Sequence, residues 1–69
     1  MEKIFNLTPR ELEVLNLFKV GLTSKQIAKQ FGRSKKTIDQ HNMNLRAKLH
    51  DARNIREALY TAYKFKLIE

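Results

Sequence analysis

Between Ser34 and Leu49 the apolar residues fall into one narrow stripe. A step of 100° per residue places Ile38, Leu45 and Leu49 on the same side of a helix. Ser34 suits the start of that helix, because its hydroxyl can accept from an otherwise orphan N–H in the first turn. The stripe predicts packing against a core. The opposite side carries Lys36, Gln40, Met43, Asn44 and Ala47. That outer set mixes a cation, two amides, a thioether and a small residue that permits close approach. These are side-chain types that read base edges in a DNA major groove, although a merely solvated face with an incidental methionine has the same make-up.

The same pattern predicts three further helices. Thr8 and Glu11 form a capping box with Pro9 at the first helical position, opening a helix over about 9–20 that Gly21 ends. Its core face is Val14, Leu15 and Phe18, flanked by Leu12 and Leu17. Thr23 and Gln26 form a second box for a helix over 24–31, with Ile27, Ala28 and Phe31 as its apolar edge and Gly32 as its stop. The third helix runs over 35–49. After a polar link from His50 to Arg53, Asn54 and Glu57 announce a fourth over about 55–66. Ile55, Leu59, Ala62 and Tyr63 share its predicted core face. Leu67 and Ile68 predict a docked tail, and Ile4, Phe5 and Leu7 a satellite of the core ahead of the first helix. With no linker, repeat or low-complexity segment, the expected fold is all-α, a four-helix bundle in a single domain over 1–69. The short turn from Gly32 to Ser34 makes the second and third helices a helix-turn-helix, whose second member enters the major groove.

Composition narrows the function. A chain of 69 residues is one domain at most, with a marginal core. It has no cysteine, and His41 and His50 have no carboxylate or cysteine at ligand spacing, so neither a metal nor a cofactor is expected. His41 lies at the core edge and reads as structural. No nucleophile–base pair, carboxylate dyad or phosphate-cradling glycine loop suggests an enzyme. Fourteen Lys and Arg against seven Asp and Glu leave a net charge of +7, which points to a polyanion, most often nucleic acid. No apolar run approaches the roughly 18 residues that a membrane span needs, and the N-terminus lacks a secretory pattern. A cytoplasmic, nucleoid-associated protein is therefore expected.

The run from Leu7 to Leu15, LTPRELEVL, resembles the opening of LuxR/GerE-type DNA-binding domains. So do GLTSKQIA at Gly21–Ala28, SKKTIDQH at Ser34–His41, and the pairs Asn44-Leu45 and Lys48-Leu49. The resemblance covers roughly residues 7 to 68. It implies a four-helix transcription-regulator domain that binds double-stranded DNA with its third helix and often pairs through its fourth. By position in the motif, base-reading places fall on Asp39, Gln40 and Met43, and backbone-contacting places on Lys25, Lys36, Thr37, Asn44 and Lys48. Lys35 and Arg33, at the start of the third helix, are further phosphate candidates or simply solvated. Asp39 stands where many members carry lysine, and His50 where glycine usually follows the Lys-Leu pair.

The start at Met1, seven residues before Thr8, favours a free-standing small regulator over a piece of a larger one. A weak homodimer is expected through the fourth helix, whose second side offers Ala58, Thr61 and Phe65. The alternative is a protein-interaction module that pairs with a larger LuxR-type regulator and inhibits it.

Overall fold

A computed structural model of the protein describes residues 6–68. It contains α1 (Pro9–Lys19), α2 (Ser24–Phe31), α3 (Lys35–Lys48) and α4 (Ile55–Lys64), and no strand among the described residues. Every helix starts on an extended residue whose side-chain oxygen accepts an N–H from the first turn: Thr8, Thr23, Ser34 and Asn54. Thr8 with Glu11 and Thr23 with Gln26 close as reciprocal boxes. At the third, Asn54 with Glu57, one arm shifts. Asn54 accepts from the Glu57 N–H at 2.9 Å, but the Glu57 carboxylate accepts from the N–H of Arg53, one residue before the cap.

The helices end slightly earlier than their apolar patterns. Val20 and Leu49 are caps rather than helical residues. After α3 the chain reverses through His50 and Asp51, with φ of 59° and 53°, and the Ala52 N–H returns to the Arg46 carbonyl at 2.8 Å. His50 thus takes up a left-handed backbone that glycine accommodates most easily. After α4, Lys66 does the same at φ 60°, the Leu67 N–H bonds the Ala62 carbonyl, and Ile68 turns back into the core.

α1 and α3 each pack against all three other helices, whereas α2 and α4 do not touch. The centre is made by Val14 and Leu15 from α1, Ile27 and Ala28 from α2, Ile38 and Leu45 from α3, Leu49 at its end, and Ala58 and Ala62 from α4. Leu7 packs on this core from outside, while Ile4 and Phe5 lie outside the described residues. Three expectations change. Phe18 is only half-buried. Tyr63 is 47% exposed rather than closing the core, and Ala58 is fully buried rather than on a free second side of α4. The reason is size: Ala58 and Ala62, one turn apart, form the inward line and let α4 approach closely, which rotates Tyr63 outward and leaves Ile55 and Leu59 as flanks.

Candidate nucleic-acid interface

The turn that joins α2 to α3 is short because each of its residues has a defined task. Gly32 adopts φ 67°, its N–H bonds the Lys29 carbonyl, and the Arg33 N–H bonds the Ala28 carbonyl, which closes α2. Ser34 then accepts from the Thr37 N–H at 3.2 Å and lies 3.1 Å from the Thr37 hydroxyl, which opens α3. Buried Ala28 gives α2 a side without bulk, as close packing of two helices requires.

With Ile38, Leu45 and Leu49 fully buried, α3 has a fixed rotation. Lys36, Thr37, Gln40, Met43, Asn44 and Ala47 are all exposed as a result. Met43 leaves 56% of its surface open. The Gln40 amide donates to the Asn44 carbonyl oxygen at 3.3 Å, so two planar amides are held side by side one turn apart. The pairing leaves the Gln40 oxygen as an acceptor and the Asn44 NH₂ as a donor.

Half of the chain's fourteen Lys and Arg fall in the segment that forms α2 and α3. Lys25, Lys29, Arg33, Lys35, Lys36, Arg46 and Lys48 lie between Ser24 and Lys48, with Asp39 as the one acid there. Lys25, Lys29, Arg33 and Lys36 are exposed. The sequence reading left out Lys29, although it follows Lys25 by one helical turn. Arg10 of α1 stands over the Phe31 ring at 4.6 Å, a cation–π contact invisible from the chain alone.

Three charged residues among the predicted contacts are already engaged within the protein: Lys35, Asp39 and Lys48. Lys35 Nζ is 2.8 Å from Asp39 Oδ2. That hydrogen bond is the main cause holding the Asp39 carboxyl below its ordinary value; partial desolvation opposes it, and the Ser24 hydroxyl and the charge of Lys35 add to it. Lys48 Nζ donates to Glu11 Oε1 at 2.8 Å and to the Asn6 carbonyl at 2.9 Å. Its ammonium therefore keeps one N–H for any outside partner. Burial alone would push the Glu11 carboxyl up, but the Lys48 hydrogen bond, the Thr8 N–H and the charges of Lys48 and His41 outweigh it and hold it below its ordinary value. Half-buried His41 thus lies near this cluster, at the core edge.

On α4 the exposed aromatics are Tyr60 and Tyr63, with Phe65 exposed at its C-cap; Arg56, Glu57 and Lys64 are exposed as well, and Thr61 is half-buried. Phe65 meets His50 edge-on at a ring separation of 5.4 Å. Among the described residues no helix is long and apolar enough to cross a membrane, and no group of three His, Asp or Glu side chains is placed to hold a metal ion.

A capped short helix, a three-residue turn, and a second helix with an open polar face form a helix-turn-helix, and comparison with known proteins agrees. The family described as "Bacterial regulatory proteins, luxR family" matches residues 5–62. This chain belongs to that family, whose members are DNA-binding transcription regulators. It is also similar to the uncharacterized transcriptional regulatory protein YhcZ of Bacillus subtilis (strain 168), with 41% identity over 66 residues. That match covers 96% of this chain and 30% of the relative, so the chain spans about a third of the length of the curated relative it matches.

Proposed function

We propose that α3 lies in the major groove of double-stranded DNA and reads sequence there, so that the protein regulates transcription at particular sites. The observation that carries this reading is the open face of α3: Gln40, Met43 and Asn44 are exposed together on a helix whose rotation the core fixes. The Gln40 amide matches the donor–acceptor edge of adenine, and Met43 suits apolar contact with a thymine methyl. Asp39, at the edge of this face, suits a cytosine amine. Lys25, Lys36, Thr37 and Asn44 reach toward phosphates and fix the register, with Lys35 held back by Asp39 and Lys48 contributing through its remaining N–H.

One small module covers few base pairs, burying about 600–1,000 Å² on DNA, so two copies on a two-fold axis would read more securely. Pairing through α4 would use Tyr60 and Tyr63, with Thr61 and Phe65 at the edge; Ala58 belongs to the core. A larger LuxR-type regulator, as the alternative partner, would meet the same exposed aromatics rather than α3.

Fluorescence anisotropy with a duplex from upstream of the protein's own gene and a random duplex tests the reading. Tighter binding to the first, with salt-dependent binding to both, supports it. Absence of binding to either duplex, together with capture of a LuxR-type regulator from host lysate that Tyr60→Arg abolishes, would favour the protein-interaction alternative.

A further inference from the structure

Asp39 is the one acid between Ser24 and Lys48 in the sequence, and it does not face solvent alone. Its carboxylate takes the Lys35 ammonium at 2.8 Å, from one turn earlier in α3. A cation at the start of the second member of the helix-turn-helix is therefore held by a carboxylate belonging to the protein. Cations are also what a DNA phosphate seeks from a protein. The pair is weakly held. Both side chains are about half exposed, and the lysine precedes the acid along the helix, the less favourable order with respect to the helix dipole. Such a contact opens readily when either partner is offered something better.

From this juxtaposition we infer that Asp39 is a specificity-determining residue that works as an internal competitor for phosphate: it occupies Lys35 in the free protein and on random DNA, and gives Lys35 up to the backbone where a cytosine amine takes the carboxylate. The inference rests on the major-groove reading proposed above. On a random duplex, releasing Lys35 leaves a carboxylate facing bases and phosphates without a donor, so the pair stays closed and one cation is missing from the interface. On a site with cytosine beneath Asp39, the N4 amine supplies that donor. Lys35 then gains a phosphate, with one more counterion released from the DNA. The acid thus suppresses affinity for wrong sequences and reports on the right one.

The test is a double-substitution cycle on full-length protein, read by anisotropy on random duplex across a salt series. Asp39→Asn keeps the shape and removes the charge. It is expected to tighten binding to random DNA by about two- to five-fold, the range that corresponds to one exposed ion pair. It should also steepen the plot of log K against log salt by about 0.9 of a unit, the share of one additional phosphate contact. In a Lys35→Ala background the same substitution should change neither quantity appreciably, because the cation it releases is gone. An equal gain in both backgrounds would show that Asp39 merely repels phosphate, and would overturn the competitor role while leaving the groove reading intact. No change from Asp39→Asn in either background would overturn it as well. If the unsubstituted protein shows no salt-dependent binding to any duplex, the groove reading fails, and this inference falls with it. Circular dichroism of each variant verifies that the helices persist; both substitutions are at partly exposed positions remote from the core.

Discussion

Glu11 and Lys48 lie 37 positions apart in sequence and meet at 2.8 Å, joining the first turn of α1 to the last turn of α3. Glu11 is nearly buried, and its Oε1 also accepts from the Thr8 N–H that caps α1. Lys48 further donates to the Asn6 carbonyl. One ion pair therefore anchors the segment before α1, the start of α1 and the end of the helix proposed to enter DNA. Glu11→Gln keeps an oxygen that can accept from Lys48 and Thr8 but removes the charge, and Lys48, a third exposed, stays in reach of water. Unfolding stability should fall by about 0.5–1.5 kcal/mol, the net range for one hydrogen-bonded interaction. Urea titration of the variant and the wild type measures it.

The same carboxyl sets an acid limit. Its folded value is depressed below the ordinary 4.5, so its contribution is fully present above that pH and is lost as pH falls through the depressed folded value. Thermal unfolding followed from pH 7 downward should show stability dropping below about 4.5. Glu11→Gln should show a shallower drop, since the group that takes up the proton is absent. Parallel curves for the two proteins would mean that other carboxylates dominate the acid response.

Two left-handed residues should respond with opposite signs. At Gly32 a methyl group would meet nothing within 4 Å, so the cost of Gly32→Ala is conformational alone, about 1–2 kcal/mol. Lys66 has the same φ sign but carries a side chain, so Lys66→Gly relieves the backbone and should raise stability by up to about 1 kcal/mol. Denaturant midpoints of both variants check the pair of expectations.

Much of this fold is legible in the sequence, and the reasons can be located. All four helix starts are written locally, because a cap needs only residues three apart, as in Thr8 and Glu11. The α3 stripe is equally local, and Ile38, Leu45 and Leu49 are indeed buried. α4 departs from its pattern because a hydrophobic pattern weights large residues. Periodicity places Tyr63 on the core face, whereas the fold buries Ala58 and Ala62, whose small size is the reason they are inside. The Glu11–Lys48 tie was beyond reach: Glu11 already had a sufficient local explanation in its capping box, and no spacing rule links residues so far apart. The Lys35–Asp39 pair, at i and i+4, is local and legible from spacing alone.

Phosphate and base contacts should separate in binding data. Lys25→Ala and Lys36→Ala should each weaken all duplexes alike and flatten the salt slope by about one unit. Gln40→Ala should cost about 1–3 kcal/mol on a preferred site and little on random DNA. Equal losses on both duplexes for Gln40→Ala would make that residue a backbone contact instead.

Assembly should depend on the exposed tyrosines of α4. Tyr60 is 67% exposed, so Tyr60→Arg leaves the core untouched. A weak dimer of the wild type, strengthened by a palindromic duplex, should become monomeric in this variant. Sedimentation of both proteins, alone and with the duplex, tests this. A wild type that binds its site one copy at a time would remove the dimer and leave Tyr60 and Tyr63 for a different partner.

Whether the open face of α3 reads the major groove is decided by methylation interference on a duplex selected from a random pool. Dimethyl sulfate marks guanine at N7, in the major groove, and adenine at N3, in the minor groove. N7 methylation at guanines within the selected site is expected to block binding, while N3 methylation of adenines there is not. Interference confined to adenine N3, or a pool that yields no preferred sequence, would contradict it.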